Sequence, residues 1–132
     1  HGRGHLYRAL LEATGYAVRH ILQTMKAAGG GGKRIVAVGG GTKGGLWTQI
    51  ISDITGRSQE LPTQTIGASY GDAWLAAISV GLASADKPWN SRATTVEPNP
   101  ELKETYNKLY YIYRELYPAT LQQAHALASL DS

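Results

Sequence analysis

Between Arg34 and Trp47 the chain passes from an apolar stretch, Ile35-Val36-Ala37-Val38, into Gly39-Gly40-Gly41-Thr42-Lys43-Gly44-Gly45 and then into a helical pattern. No other segment so narrows what the sequence can fold into. Glycine has no Cβ, so a ligand can approach the backbone closely and the chain can take positive φ. A helix beginning just after the loop turns unpaired N–H groups and the positive end of its dipole toward it. Strand, glycine loop and helix N-terminus in that order make an anion-binding arrangement. A phosphate or a ribose is therefore the expected visitor.

The flanking segments read as alternating helices and strands. From Leu6 to Met25 the apolar positions Leu6, Leu10, Ala13, Ala17, Ile21 and Met25 recur at helical spacing, widened by Leu11, Val18 and Leu22. Gly29 to Gly32 ends that helix. Ile35 to Val38 reads as a short strand buried on both faces, as in a parallel sheet. Leu46 to Ile54 forms a second amphipathic helix, closed by Gly56. Ser58 to Pro62 is a second strand stopped by its own proline. Ala68 to Leu82 is a third helix, rich in small residues that permit close backbone approach. Residues 83 to 99 carry Pro, Asn, Ser and Thr and read as a surface loop. A last helix starts near Pro100, with Leu102, Tyr106, Leu109, Tyr113 and Leu116 on one face. Pro118 is expected to kink or break it before a final turn or two through Leu121, Ala124, Leu127 and Leu130. This order indicates an α/β domain with parallel-type strands flanked by helices. Two confident strands do not make an independent parallel sheet, so a larger sheet is expected. The opening His1-Gly2-Arg3-Gly4-His5, without Met, likewise reads as the start of an excised piece.

Composition removes several function classes. At 132 residues the chain is one domain's worth, 42% hydrophobic and 17% charged, as in soluble globular proteins. The net charge of +3 is spread along the sequence, with no basic block, so nucleic acid is not an expected partner. There is no cysteine, hence no disulfide or thiolate metal site, which fits a reducing cytoplasm. No apolar run approaches the ~20 residues that span a bilayer. His1, His5, His20 and His125 do not form a ligand set, and no metal-binding residues are expected.

The glycines alone fit more than one template. Gly39, Gly41 and Gly44 satisfy G-x-G-x-x-G, and Glu60 stands where a dinucleotide fold places its ribose-binding acid. Five glycines in the seven positions from Gly39 to Gly45 meet such a pattern easily. A P-loop is excluded, because Lys43 precedes Gly44 and no G-K-[ST] occurs.

A longer ordered pattern is more specific. Arg8-Ala9-Leu10-Leu11-Glu12-Ala13 opens the first helix, and the glycine segment follows. Then come Asp53-Ile54-Thr55-Gly56-Arg57, a strand ending in Leu61-Pro62, and Ile66-Gly67-Ala68-Ser69-Tyr70-Gly71-Asp72-Ala73-Trp74-Leu75-Ala76-Ala77. The chain finishes through Tyr110-Tyr111-Ile112-Tyr113-Arg114-Glu115-Leu116-Tyr117-Pro118. This succession resembles the C-terminal domain of the FGGY family of carbohydrate kinases, most closely its xylulose-kinase-like members. The resemblance implies an actin-like, ribonuclease-H-like ATPase fold, of which residues 1–132 would be the distal half of the nucleotide-binding domain. It implies ATP and Mg2+ as cofactors and a sugar, a pentulose such as xylulose, as phosphoryl acceptor through an N-terminal domain outside the chain. Carried over by position, Gly39, Gly40, Gly41, Thr42, Gly44 and Gly45 form the nucleotide-binding set. Gly40 and Gly41 would make main-chain contacts, and position 45 would lie near the adenine. Thr42 replaces the usual Ala and Gly44 the usual Ser. The family's catalytic Asp has no counterpart here, so no catalytic residue is assigned. Asp53, Asp72 and Asp86 read as solvated carboxylates. A homo-oligomer is left open.

Two other readings stand beside this one. A dinucleotide-binding fragment would use Gly39, Gly41, Gly44 and Glu60, and requires a third parallel strand after the third helix. A non-catalytic interaction module would use the tyrosine row Tyr106, Tyr110, Tyr113 and Tyr117, although a helix docking that stripe on a core is the expected outcome.

Overall fold

A computed structural model describes residues 1–131. Helix α1 spans Arg3–Ala27, α2 Leu46–Thr55, α3 Ala68–Ser79 and α4 Lys103–Ala128; strands β1 and β2 span Gln59–Pro62 and Arg92–Val96. Short 3-10 turns occupy Gly40–Gly44, Pro100–Leu102 and Ser129–Asp131. The fold is mixed helix and sheet.

The core lies where α1, α2 and α4 meet. Tyr16 of α1, Ile50 and Ile54 of α2, and Tyr106 and Tyr110 of α4 form one buried cluster, with Leu11, Leu102 and Tyr113 against it. Gly15 lets α2 approach α1: a Cβ there would lie 2.7 Å from Ile54 Cδ1, in a site where Ile54 is 1% exposed. Arg19 fastens the other end of this contact. Its Nη1 donates to the Ile54 carbonyl at 3.0 Å, its Nη2 donates to Asn107 Oδ1 at 2.7 Å, and its guanidinium lies 4.2 Å from the centre of the Tyr110 ring. A cation at a helix C-terminus opposes the negative end of the dipole and satisfies a terminal carbonyl. Gly56 then ends α2 in the left-handed conformation, φ 65°, which glycine adopts without a Cβ penalty.

The buried stripe of α1 differs from the one its periodicity suggests. Leu6, Leu10 and Ile21 are 69%, 63% and 58% exposed, whereas Leu11, Gly15 and Tyr16 face the core. Both stripes have helical spacing, and only the position of α2 selects between them. In α4 the same rotation buries Tyr106 and Tyr110 and leaves Leu109 and Leu116 exposed. Pro118 lies inside α4 without ending it. The lost hydrogen bond falls among exposed residues, so the Arg114 carbonyl it frees is not shut into the core.

The sheet also departs from expectation. β1 pairs with β2 antiparallel, matching Gln59 with Val96 and Leu61 with Thr94, and the register shifts between Leu61 and Pro62, where proline has no N–H to give. β2 lies in the segment read as loop: its Thr94-Thr95-Val96 run favours extended backbone, but Pro, Asn and Ser on either side mask it. Ile35 to Val38 makes a single parallel bridge, Val36 to Glu60, with Ala37 N–H donating to the Glu60 carbonyl and Glu60 N–H to Ile35. Val36 and Val38 are about half exposed, 49% and 50%, so this stretch is not buried on both faces. Of the small residues on α3, Ala77 is buried and Gly71 has no neighbour within 4 Å of a built Cβ.

Tyr16 carries a testable cost. Its hydroxyl is buried with no hydrogen-bond partner among the described residues, and burial pushes its phenol from 10.0 up to about 12. An unfolded chain loses this proton near pH 10 and the folded one holds it to about pH 12. Stability therefore falls as pH rises through that window. Tyr16→Phe is expected to stabilise the chain by about 1 kcal/mol at neutral pH and to flatten the alkaline decline, read from urea unfolding at several pH values.

Candidate functional site

The glycine segment folds as a 3-10 turn ending on the N-terminus of α2. Its glycines do different jobs. Gly39, at φ 97°, and Gly45, at φ 70°, take backbone conformations that side chains disfavour. Gly41 lies under the Trp47 ring, so close that a Cβ would collide with Cζ3 and Cε3. Gly40 and Gly44 have nothing within 4 Å of a built Cβ and no such φ. They leave open space rather than satisfy a contact or a bend.

Hydrogen bonds fix the turn on three sides. Gly39 N–H donates to the Thr65 carbonyl at 2.7 Å, tying the turn to the segment before α3. Thr42 is buried, and its hydroxyl donates back to the Gly39 carbonyl at 2.7 Å. Trp47 Nε1 donates to Thr14 Oγ1 of α1 at 2.7 Å. The 3-10 pattern starts from the Gly39 carbonyl, so the N–H groups of Gly40 and Gly41 have no acceptor inside the turn. Gly45, the N-cap of α2, offers no side chain to the helix N-terminus. Open backbone, spare N–H groups and an uncapped dipole end together suit an anionic or polyhydroxylated ligand.

The six sequence-selected residues thus lie together but are not equivalent. Gly40, Gly44 and Gly45 border open space. Gly39 and Gly41 shape the turn. The Thr42 side chain points its hydroxyl into the loop and is spent there. The distinction was invisible in the sequence, where five identical residues differ only in their neighbours.

Other candidate groups resolve into structural roles. Asp53 was read as solvated, yet it is 6% exposed. Its Oδ1 accepts from Asn99 N–H at 2.7 Å and from Gln49 Nε2 at 2.8 Å, holding α2 against the chain entering α4. Asp72 and Asp86 are exposed. Glu60 is engaged by Arg34, whose Nη2 lies 2.6 Å from Oε2 and whose Nε donates to both oxygens at 3.2 Å. Arg34 holds the Glu60 carboxyl below the usual range. The strand that follows α3 is β2, and it pairs with β1 antiparallel, not parallel as a dinucleotide fold requires. Tyr106 and Tyr110 are buried in the core rather than displayed as a docking face; Tyr117 is exposed. The Arg8–Glu12 motif has its partner in Tyr106: Arg8 Nη2 donates to the phenol oxygen at 2.9 Å, and the phenol donates to Glu12 Oε1 at 2.9 Å.

Residues 1–80 match the model of the FGGY family of carbohydrate kinases, C-terminal domain. The chain belongs to this family. The FGGY match contains the whole glycine turn, α1, α2 and β1. The chain is 35% identical over 116 residues to a ribulokinase of Mycolicibacterium smegmatis, covering 84% of this chain and 21% of that protein. It is 29% identical to a xylulose kinase of Staphylococcus epidermidis, covering 100% of this chain and 27% of the relative. The crystal structure of a xylulose kinase from Rhodospirillum rubrum superposes with a TM-score of 0.79 at 33% identity, over 95% of this chain and 26% of that one. The chain thus spans between a fifth and somewhat over a quarter of the length of these FGGY relatives. Among the described residues no group of three His, Cys, Asp or Glu side chains is placed to hold a metal ion, and no helix is long and apolar enough to cross a membrane.

Two substitutions separate shaping glycines from open ones. Gly41→Ala is expected to lower stability by about 1–3 kcal/mol by displacing the Trp47 ring. Gly40→Ala is expected to stay within about 0.5 kcal/mol of the parent. Thermal unfolding, with the Trp47 indole N–H followed by NMR, checks both.

Proposed function

We propose that this chain is the distal half of the nucleotide-binding domain of a sugar kinase, and that its glycine turn forms the adenosine side of the ATP site. The observation that carries the reading is the open turn at Gly40, Gly44 and Gly45 running into the uncapped N-terminus of α2. Family membership supports the direction of the chemistry. The fold in this reading is of the actin-like, ribonuclease-H-like ATPase type. The bridge between Val36 and Glu60 is then part of a wider parallel sheet.

The intact protein would transfer the γ-phosphoryl group of ATP to a sugar hydroxyl, in a cytoplasmic setting where both are supplied. Such transfer depends mainly on positioning and on electrostatic stabilisation around a Mg-bound triphosphate. When bound, Mg2+ neutralises phosphate charge. This chain's own contribution is to seat the nucleotide: backbone at Gly40 and Gly41 supplies N–H donors, and absent side chains at Gly40, Gly44 and Gly45 leave room for it. The helix dipole of α2 favours the phosphates. The carboxylate base and the sugar contacts belong, in this reading, to chain outside residues 1–132. The acceptor is a pentulose such as xylulose or ribulose, the substrates that name the relatives.

The test is a titration of the 132-residue chain with ADP-Mg, read from backbone amide shifts. Changes are expected at Gly39 to Gly45. NAD should give no stronger response. Gly40→Ala should weaken ADP by roughly tenfold without loss of stability, because its Cβ would occupy ligand space alone. The chain by itself should show no sugar-dependent ATP turnover. Shifts confined to other residues, or unchanged affinity in Gly40→Ala, would reject the assignment.

A further inference from the structure

The glycine turn is tied down unequally along its length. At its entry Gly39 N–H donates to the Thr65 carbonyl, and at its exit Thr48 Oγ1 donates to the Gly45 carbonyl at 2.9 Å. Thr42 is held from within, by its own hydroxyl on the Gly39 carbonyl. Gly40 and Gly41 lie between these ties and carry the N–H groups that the nucleotide reading gives to the ligand. What bears on Gly41 is the Trp47 ring, packed where a Cβ would be. Trp47 is 36% exposed. Packing therefore covers only part of the ring, and its hold on Gly41 depends on what fixes the indole.

That fixing comes from another element. Thr14 stands on α1, 33 residues earlier, and its Oγ1 accepts from Trp47 Nε1 at 2.7 Å while donating to the Leu11 carbonyl at 2.7 Å. An indole nitrogen only donates, and a hydroxyl has one proton. With that proton spent on Leu11, the Thr14 oxygen meets Trp47 only as acceptor. The bond has a single polarity, and valine, of nearly the same shape, cannot make it. Nothing lies within 4 Å of a Cβ built at Gly40 or Gly44, so Thr14 leaves that space free and bears on it through the ring. We infer that Thr14 is a positioning residue for the nucleotide, a role that rests on the nucleotide reading of the turn. It holds the Trp47 ring over Gly41, so that the backbone is ordered before the ligand arrives. Ordering a loop on binding subtracts from affinity, so removing the clamp weakens the ligand without removing a contact to it.

The test titrates ADP-Mg into the 132-residue parent, Thr14→Val, Thr14→Ser, Trp47→Phe and the Thr14→Val/Trp47→Phe pair, read from backbone amides at Gly39 to Gly45. Thr14→Val is expected to weaken ADP about fivefold and to move the Trp47 indole N–H resonance upfield. Thr14→Ser keeps the hydroxyl and should stay within about twofold of the parent. In Trp47→Phe, which has no N–H, adding Thr14→Val should cost no further affinity, since the bond is already gone. A purely structural role for Thr14 would not show this dependence on Trp47. Equal affinity of the parent and Thr14→Val, a loss that Thr14→Ser shares, or full additivity of the two substitutions overturns the clamp and leaves the nucleotide reading standing. Parent amides at Gly39 to Gly45 that ADP does not move reject the nucleotide reading, and the positioning role with it. Thr14 is exposed, and the valine–serine comparison decides the matter even where Trp47→Phe does not fold.

Discussion

The close seating of Ile54 on Gly15 sets the geometry of everything else. Helix α2 is clasped on two unlike sides. Its apolar side, Ile50 and Ile54, enters the tyrosine-lined cluster between α1 and α4. Its polar side meets the strands, where Gln59 Nε2 donates to the Thr48 carbonyl at 2.6 Å and to Ser52 Oγ at 2.8 Å, and Ser52 Oγ donates to the Val96 carbonyl at 3.0 Å. Both sides are buried, so neither can shift without exposing an unpaired group or opening a void. A Cβ at position 15 would meet Ile54 Cδ1 at 2.7 Å, so the Ile54 side chain or α2 itself must shift to admit it.

That two-sided burial explains where sequence reasoning failed. Periodicity located α1 and α2 with their ends, including the Gly56 stop, and the start of α4, because helical spacing and glycine caps are local signals; it did not carry α4 through Pro118. It chose the wrong stripe on α1, since Leu6, Leu10 and Ile21 are as regularly spaced as Leu11 and Tyr16, and only tertiary contact distinguishes them. Polar residues on α2 gave no sign that they were buried: Ser52 and Asp53 look like solvent-facing positions until the strands arrive. β2 went unread because its partner, β1, is some thirty residues away and its flanks resemble loop. Register and strand direction are long-range facts, and a single chain's local pattern carries little of either.

The glycine turn was legible as a candidate site but not as a mechanism. A template counts glycines, whereas the structure gives them separate duties: conformation at 39 and 45, clearance for an indole at 41, vacancy at 40 and 44. Only the last of these points directly to a ligand. The G-x-G-x-x-G match at 39, 41 and 44 mixes all three duties, which is why it had no power to choose a fold. The ordered succession of helix, turn, helix and strand did, because each segment there constrains the placement of the next. Glu60 illustrates the difference. Its spacing suited a ribose acid, but it stands on the bridge to Val36, within reach of the Arg34 guanidinium two residues earlier.

Three successive residues of α1 join the core to the site. Thr14 accepts the Trp47 indole N–H and so fixes the ring that roofs Gly41. Gly15 receives Ile54. Tyr16 stacks on Tyr113 with ring centres 5.5 Å apart and lies against Tyr106 and Tyr110. One turn of one helix therefore positions the glycine turn, α2 and α4 together. A ligand-facing backbone is useful only when it does not have to be ordered at the moment of binding, since that ordering subtracts from affinity. Here the vacancy at Gly40 and Gly44 is bordered on one side by a ring held to α1 and on the other by the first turn of a helix buried on two faces. The flexibility that glycine brings to an unfolded chain is thus removed by packing, while the space it leaves is kept.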